Sequence, residues 1–397
     1  MKLNAAIWIR TATMSVVLAL ATFAAVAAPG AAAAAQQVEG HYGSASERAE
    51  GSNPSIGGKM IGYVAYTKVN RRAPDVLILG TSRAMQLDPR EIKKRSGKSA
   101  YNASVSDGAA RELLAFGSFA ELVTPERAPH LVIMFDIEGL DGRTPTRRVE
   151  STIAATEAAR KSCPSAERCT TVWKNAAAAI VRDSAVGLRG RPAWSLMQRP
   201  DGLIRSPSLA RMEREGVDLI GVRDRRIAIR IKSYRPGGAF DALEAAPKAK
   251  IKRLLQLANA RGDSPSLVIT SMHPECIRRC GPAGWFEHRR NARLFLRGLA
   301  KTYDFQIHDY SDPKAWGGTA ASFYDEIHLR PKAAAQVVAK LDSEGAFDID
   351  PTADPDPETA ASASTSTSEP TPVGFFERGL AQVREVVAAA AARSERA

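Results

Sequence analysis

Two short stretches of the chain carry residue types that can do covalent chemistry together. The first is Asp75-Val76-Leu77-Ile78-Leu79-Gly80-Thr81-Ser82-Arg83, an apolar run that reads as a buried strand passing straight into Gly-Thr-Ser. In an open parallel sheet, ligands gather beyond the carboxyl ends of the strands, so a hydroxyl placed there faces the cleft, and Ser82 is positioned as a nucleophile. A serine after a strand also caps a following helix, and Ser82 taken alone fits either role. The second stretch, Phe323-Tyr324-Asp325-Glu326-Ile327-His328-Leu329-Arg330-Pro331, sets Asp and His three apart on a turn entering a helix that closes the domain. There Asp325 can hold the imidazole tautomer while His328 takes the serine proton. In a chain with 6 histidines the D-x-x-H pattern is weak alone, and its weight comes from pairing with strand-Gly-x-Ser.

Gly80-Thr81-Ser82 after the first strand, Tyr101-Asn102-Ala103-Ser104-Val105-Ser106 at the second and Asp325-x-x-His328 near the domain's end resemble the first, second and fifth blocks of the SGNH, or GDSL-like, hydrolases. Thr81 followed by Arg83 is more similar to the envelope branch related to alginate O-acetylation proteins and the D-alanine transfer protein of teichoic acid than to the secreted lipases. The resemblance covers about residues 60 to 345. It implies a three-layer α/β/α fold, flavodoxin-like, with a central parallel sheet. It implies that Ser82 attacks an ester carbonyl, that His328 is base and then acid, and that Asp325 orients His328. It also implies an oxyanion hole built from the nucleophile's N–H, a glycine N–H in block two and an asparagine side chain in block three.

The sequence departs from that pattern twice. Asp107 stands at the block-two glycine position, after Ser106, with Gly108 next. At block three the strand Leu131–Phe135 is followed by Asp136-Ile137-Glu138-Gly139-Leu140, with no asparagine. Ionised carboxylates accept hydrogen bonds and repel an oxyanion. Three readings stay open: Arg83 substitutes as donor, Asp136 or Glu138 binds a substrate hydroxyl, or the site is impaired. His273, after the Leu267–Thr270 strand, points to the same cleft as a substrate contact, a second base or a structural residue.

The elements that must position these groups follow from hydrophobic periodicity. Val76–Leu79, Leu131–Phe135, Leu267–Thr270 and Phe305–His308 read as buried strands. Helical spacing runs through Ala109–Leu122, Lys248–Ala260, Trp285–Tyr303 and Pro331–Leu341. The alternation predicts an α/β fold, a parallel sheet covered by helices on both faces. Residues 142–264 lack strand signals and are expected to form a long, mostly helical insertion at the sheet's rim. Asp309 and Asp312 are expected to cap or turn after the last strand.

With 397 residues, 44% hydrophobic and 25% charged, the composition excludes a wholly disordered, collagenous or polytopic membrane protein. Lys2 and Arg10, an apolar run from Met14 to Ala28 and Ala33-Ala34-Ala35 match an export signal over residues 1–35, or an uncleaved anchor. Residues 36–59 read as a linker, 60–350 as the folded domain, and 351–373 as a disordered acidic Ser/Thr/Pro tract. Residues 374–397 read as an amphipathic helix, with Phe376, Leu380, Val383 and Val387 on one face. Export makes disulfides of the close pairs Cys163/Cys169 and Cys276/Cys280, the alternative being a metal site from His273, Cys276, Cys280 and His288.

The net charge of +12 concentrates in Arg182–Arg235, where 13 basic residues face 6 acidic ones. No nucleic-acid motif or aromatic interleaving accompanies them, so an anionic polymer or an ordinary solvated surface is expected rather than nucleic acid. The combined expectation is an exported, periplasmic or secreted, serine-dependent esterase or O-acyltransferase acting on a cell-envelope polysaccharide. A transferase would draw its acyl group from a membrane donor protein, and no cofactor or metal is called for. The alternatives are a catalytically weak glycan-binding or assembly subunit on the same fold, and an unrelated α/β protein in which Ser82 caps a helix.

Overall fold

The computed structural model describes residues 56–106, 108–140, 147–163, 166–186, 199–204, 216–240 and 243–349. The expected export segment 1–35, nearly all of the 36–59 linker, the 351–373 tract, the 374–397 helix and Asp107 lie outside the described residues.

The first element among the described residues is helix α1 (Ile56–Asn70), which starts four residues before Met60. Strand β1 (Val76–Leu79), helix α2 (Pro89–Ser96), strand β2 (Ala100–Asn102), helix α3 (Ala110–Val123) and strand β3 (His130–Phe135) follow. Next come four helices, α4 (Arg147–Ser162), α5 (Ala166–Val186), α6 (Leu219–Tyr234) and α7 (Ala245–Asn259), and then strand β4 (Ser266–Ile269). Helices α8 (Pro274–Cys280) and α9 (Phe286–Leu299), strand β5 (Gln306–Asp309) and helix α10 (Pro331–Ser343) complete the body. The five strands form one parallel sheet in the order β2-β1-β3-β4-β5. This is the α/β architecture expected from the sequence, and the strand order reverses beside β1, where the Ser82 turn begins.

Alternation along each strand divides the core into two layers. Leu77, Leu79, Leu131, Ile133, Phe135, Leu267 and Ile269 face α1, α3 and α7, while Val76, Ile78, Val132, Met134 and Val268 face α2 and α10. Strands buried on both faces read as continuous apolar runs, which is why β1, β3 and β4 were visible in the sequence. Helix α10 shows how one face is held: Ala333, Ala334, Val337, Val338 and Leu341 recur at helical spacing and are all buried. Each fully buried Val or Leu there contributes roughly 1.5–3 kcal/mol.

The region expected as a rim insertion divides. Helix α7 is the crossover leading into β4, packed on α3 through Ile251, Leu254, Leu255 and Ala258, and so belongs to the sheet's own helical layer. Helices α4 and α5 pack outside α3, and the segment 199–204 covers the β2 edge, where the Asn102 N–H donates to the Asp201 carbonyl at 2.9 Å. Lys59, fully buried, closes that edge by donating to the carbonyls of Asn102 and Gly202. Burial pulls its pKa down to about 7, against a smaller opposing pull from Asp201.

Of the two expected disulfides, one is present. Cys163 and Cys169 are bonded and join the end of α4 to the start of α5. Cys276 and Cys280 are instead buried thiols whose sulfurs lie 3.4 Å apart, side by side on one turn of α8. The alternative metal set does not assemble either: among the described residues no cluster of three His, Cys, Asp or Glu side chains is placed to hold an ion. Among the described residues, no helix is long and apolar enough to cross a membrane.

Candidate active site

Gly80 follows the last residue of β1, and only glycine fits there. A Cβ at that position would sit 2.7 Å from the Ala84 Cβ and 2.9 Å from the Met134 Cβ. The turn that follows is held by Asn102, fully buried at the end of β2, whose amide donates to the carbonyls of Ala84 and Leu87 at 2.9 Å each. Ser82 thus projects from a fixed turn beyond the sheet. The helix-cap role falls elsewhere, since α2 is capped by Asp88, which accepts from the Arg90 N–H at 2.8 Å.

The D-x-x-H segment arrives from the other side as a tight loop closed by a bridge between Phe323 and Leu329. The Tyr324 N–H donates to the His328 carbonyl, and the His273 N–H donates to the Glu326 carbonyl, which ties the loop to the β4–α8 turn. Within it, Asp325 Oδ2 lies 2.6 Å from His328 Nδ1, while Asp325 Oδ1 accepts the backbone N–H groups of Ile327 at 3.0 Å and His328 at 2.7 Å. A carboxylate can only accept, so Nδ1 carries the proton and Nε2 is left as the acceptor. That nitrogen is 2.8 Å from Ser82 Oγ. Residues 246 positions apart are therefore in hydrogen-bond contact. Tyr324 stacks on the imidazole, with centroids 5.5 Å apart and planes 12° from parallel, and restrains its rotation.

Burial disfavours the charged form of Asp325. The hydrogen bond and charge of His328, together with the two backbone amides, outweigh it, so the carboxyl titrates below the usual aspartate value. A buried, ionised Asp next to an imidazole whose far nitrogen meets a hydroxyl is the geometry of an activated serine.

The block-three residues are placed differently from either functional role expected of them. Arg83 is buried and turned away from the serine: its guanidinium pairs with Glu138 Oε1 at 2.7 Å and with Asp136 Oδ2 at 3.3 Å, and donates to Thr270 Oγ1 at 3.2 Å. Asp136 also accepts from Thr81 Oγ1 at 2.5 Å and from the Thr270 hydroxyl. Glu138 accepts further from Arg230 at 3.3 Å and from the Tyr234 hydroxyl. Burial penalises the Glu138 charge, but Arg83, Arg230 and Tyr234 together hold its pKa down at about 2. Arg83, Asp136 and Glu138 therefore form one closed ionic cluster behind the nucleophile. The Arg83 guanidinium and both carboxylates are thus already engaged, with Arg230 bringing a second cation to Glu138.

Gly108 sits against the end of β1, where an added Cβ would lie 2.9 Å from the Gly80 carbonyl oxygen; its N–H reaches the Val105 carbonyl over a long 3.4 Å. Ser106 lies in the same turn, part-buried and with a partner of its own. His273 is 4% exposed and caps α8, its Nδ1 accepting the Glu275 N–H at 3.0 Å. Burial, with Arg223 beside it, lowers its pKa and favours the neutral imidazole. Asp309 accepts from Ser311, and Asp312 caps the short turn after β5.

A cleft of about 260 Å³ opens next to the triad, lined by Asp325, Tyr324, Phe323, His273, Arg223, Arg330, Leu219, Ile220, Ala320 and Ala321. Three of these ten, Leu219, Ile220 and Arg223, come from the start of α6, a helix that the sequence reading placed only within a basic rim insertion. Thr270, Tyr324, Arg226, Arg230 and Tyr234 were likewise missed. Their only sequence signals are the hydroxyl after β4, matching Thr81 after β1, and the fourfold spacing of 226, 230 and 234. No protein-family model matches the chain, and no curated protein matches it.

Proposed function

We propose that this protein is an SGNH-like serine ester hydrolase or O-acyltransferase that works through an acyl-Ser82 intermediate. The observation that carries the reading is the relay from Ser82 Oγ to His328 Nε2 at 2.8 Å and from His328 Nδ1 to Asp325 at 2.6 Å. Ser82 attacks an ester carbonyl while Nε2 takes its proton, and ionised Asp325 stabilises the resulting imidazolium. The tetrahedral intermediate collapses as His328 returns that proton to the leaving alcohol. Water, or a sugar hydroxyl in a transferase, then attacks the acyl-serine with His328 again as base. The donor we assign to the oxyanion is the backbone N–H of Ser82, since the Gly108 N–H reaches the Val105 carbonyl and block three offers no side-chain donor. Losing one such donor costs roughly 3–4 kcal/mol, so a slow enzyme is expected.

The substrate we propose is a short-chain acyl ester on an anionic cell-envelope polysaccharide. Arg223 and Arg330 on the cleft wall support an anionic group. Export and a membrane-bound acyl donor belong to the same proposal. The absent block-three donor favours one rival, a glycan-binding subunit that keeps the triad but turns over poorly.

Reaction of the purified protein with a fluorophosphonate probe and with p-nitrophenyl acetate separates the two. Labelling at Ser82, with acetate release falling at least a thousandfold in Ser82→Ala and His328→Ala, is the outcome expected of the enzyme. A folded wild type that neither labels nor releases acetate, yet retains acidic polysaccharide equally with and without Ser82, refutes it in favour of the subunit.

A further inference from the structure

We propose that Arg226, on helix α6, is a positioning residue of the triad, making α6 part of the catalytic apparatus rather than a peripheral insertion. The inference rests on the serine-hydrolase reading above and concerns the same site.

Helix α6 lies over the carboxyl ends of the strands and presents three side chains four residues apart. Positions i, i+4 and i+8 fall on one stripe of a helix, and all three end on site carboxylates. The Tyr234 hydroxyl donates to Glu138. Arg230 bridges Glu138 at 3.3 Å and Glu326 at 3.2 Å. Arg226 Nη1 reaches Asp325 Oδ2 at 2.6 Å and lies 3.6 Å from Glu326 Oε2. Ile227, wholly buried, seats the stripe against the core.

The Arg226 contact falls on the oxygen that also receives His328 Nδ1. The Asp325 carboxylate therefore has four donors: two backbone amides on Oδ1, and the imidazole and the guanidinium on Oδ2. Two donors on each oxygen fill the carboxylate's capacity and fix its plane. Rotation of Asp325 would break at least one of these bonds, so the line from Oδ2 through the imidazole to Ser82 is set partly by a residue 99 positions away. Arg226 touches neither substrate nor the reacting atoms, and it acts through Asp325. Its side chain is 42% exposed against 15% for Arg230, so solvent screens its charge and its role is geometric more than electrostatic.

The test pairs a kinetic readout with one that needs no turnover. Arg226→Gln is expected to lower kcat for p-nitrophenyl acetate about tenfold with KM unchanged, the scale of a slightly misdirected catalytic group. Arg226→Lys, which keeps one donor but not the planar fork, is expected to recover part of the loss. In the proton spectrum, the His328 Nδ1 proton shared with Asp325 is expected far downfield in the wild type, and shifted and broadened in Arg226→Gln. Unchanged kcat and an unchanged downfield resonance in Arg226→Gln overturn the inference, as does a kcat loss matched by a collapse of thermal stability. A wild type without esterase activity whose downfield proton still moves in Arg226→Gln would sink the enzymatic reading while leaving the positioning role standing.

Discussion

Replacing Arg83 with methionine tests whether the carboxylates at block three are structural. The substitution keeps an unbranched stem of similar bulk and removes the cation between two buried acids, Asp136 and Glu138. Glu138 would retain Arg230 and Tyr234, whereas Asp136 would keep only the Thr81 and Thr270 hydroxyls. Stripping one partner from a buried ion pair costs about 3–5 kcal/mol, because the remaining charge is desolvated and unmatched. A second route gives the same scale. Glu138 is held at about 2 against an ordinary 4.5. That gap of about 2.5 units corresponds to roughly 3 kcal/mol of stabilisation from the cluster as a whole. Because this pKa is depressed in the folded state, the stabilisation is fully present above pH 4.5 and is lost as pH falls towards 2. The variant should therefore melt roughly 6–20 °C below wild type at pH 7, at about 2–4 °C per kcal/mol for a domain of this size. The difference should narrow below pH 4.5. Circular-dichroism melts at pH 7 and pH 3 measure both. A shift under 2 °C at pH 7, or a difference that widens on acidification, would refute the closed cluster.

Two further outcomes follow from the packing. Gly80→Ala places a methyl group 2.7 Å from the Ala84 Cβ and 2.9 Å from the Met134 Cβ, so it should cost about 1–3 kcal/mol in overpacking and slow fluorophosphonate labelling by displacing the Ser82 turn. Full stability together with wild-type labelling would contradict the tight strand end. Cys276 and Cys280 are buried thiols on α8, so the native protein should resist iodoacetamide, and non-reducing denaturation should expose two alkylatable cysteines out of four, counted by mass spectrometry. Finding none would mean that this pair is oxidised in the isolated protein.

The parts of this site that were legible in the sequence are those where chemistry and local structure coincide. Val76–Leu79 is buried on both faces and announces itself as an apolar run, and Gly80-Thr81-Ser82 follows because a strand end needs a tight turn there. Asp325 and His328 are near neighbours in sequence, and their bond is local. What was not legible is what joins distant segments. Asp136 and Glu138 look like carboxylates facing substrate until Arg83, Thr81, Thr270, Arg230 and Tyr234 converge on them from three separate stretches of chain. Likewise, Cys276 and Cys280 have a spacing that invites pairing, and only the turn of α8 sets their sulfurs side by side rather than bonded. Glu138 shows what such convergence holds together. An asparagine in place of Glu138 would leave Arg83 with one fewer anion, Arg230 with Glu326 alone, and the Tyr234 hydroxyl without its carboxylate. Glu138 is thus an anchor of α6 over the strand ends, through Arg230 and Tyr234, and α6 in turn brings Arg226 to Asp325. Restoring the donor by Glu138→Asn should therefore not raise activity, because it would loosen the helix that holds the triad's carboxylate in place.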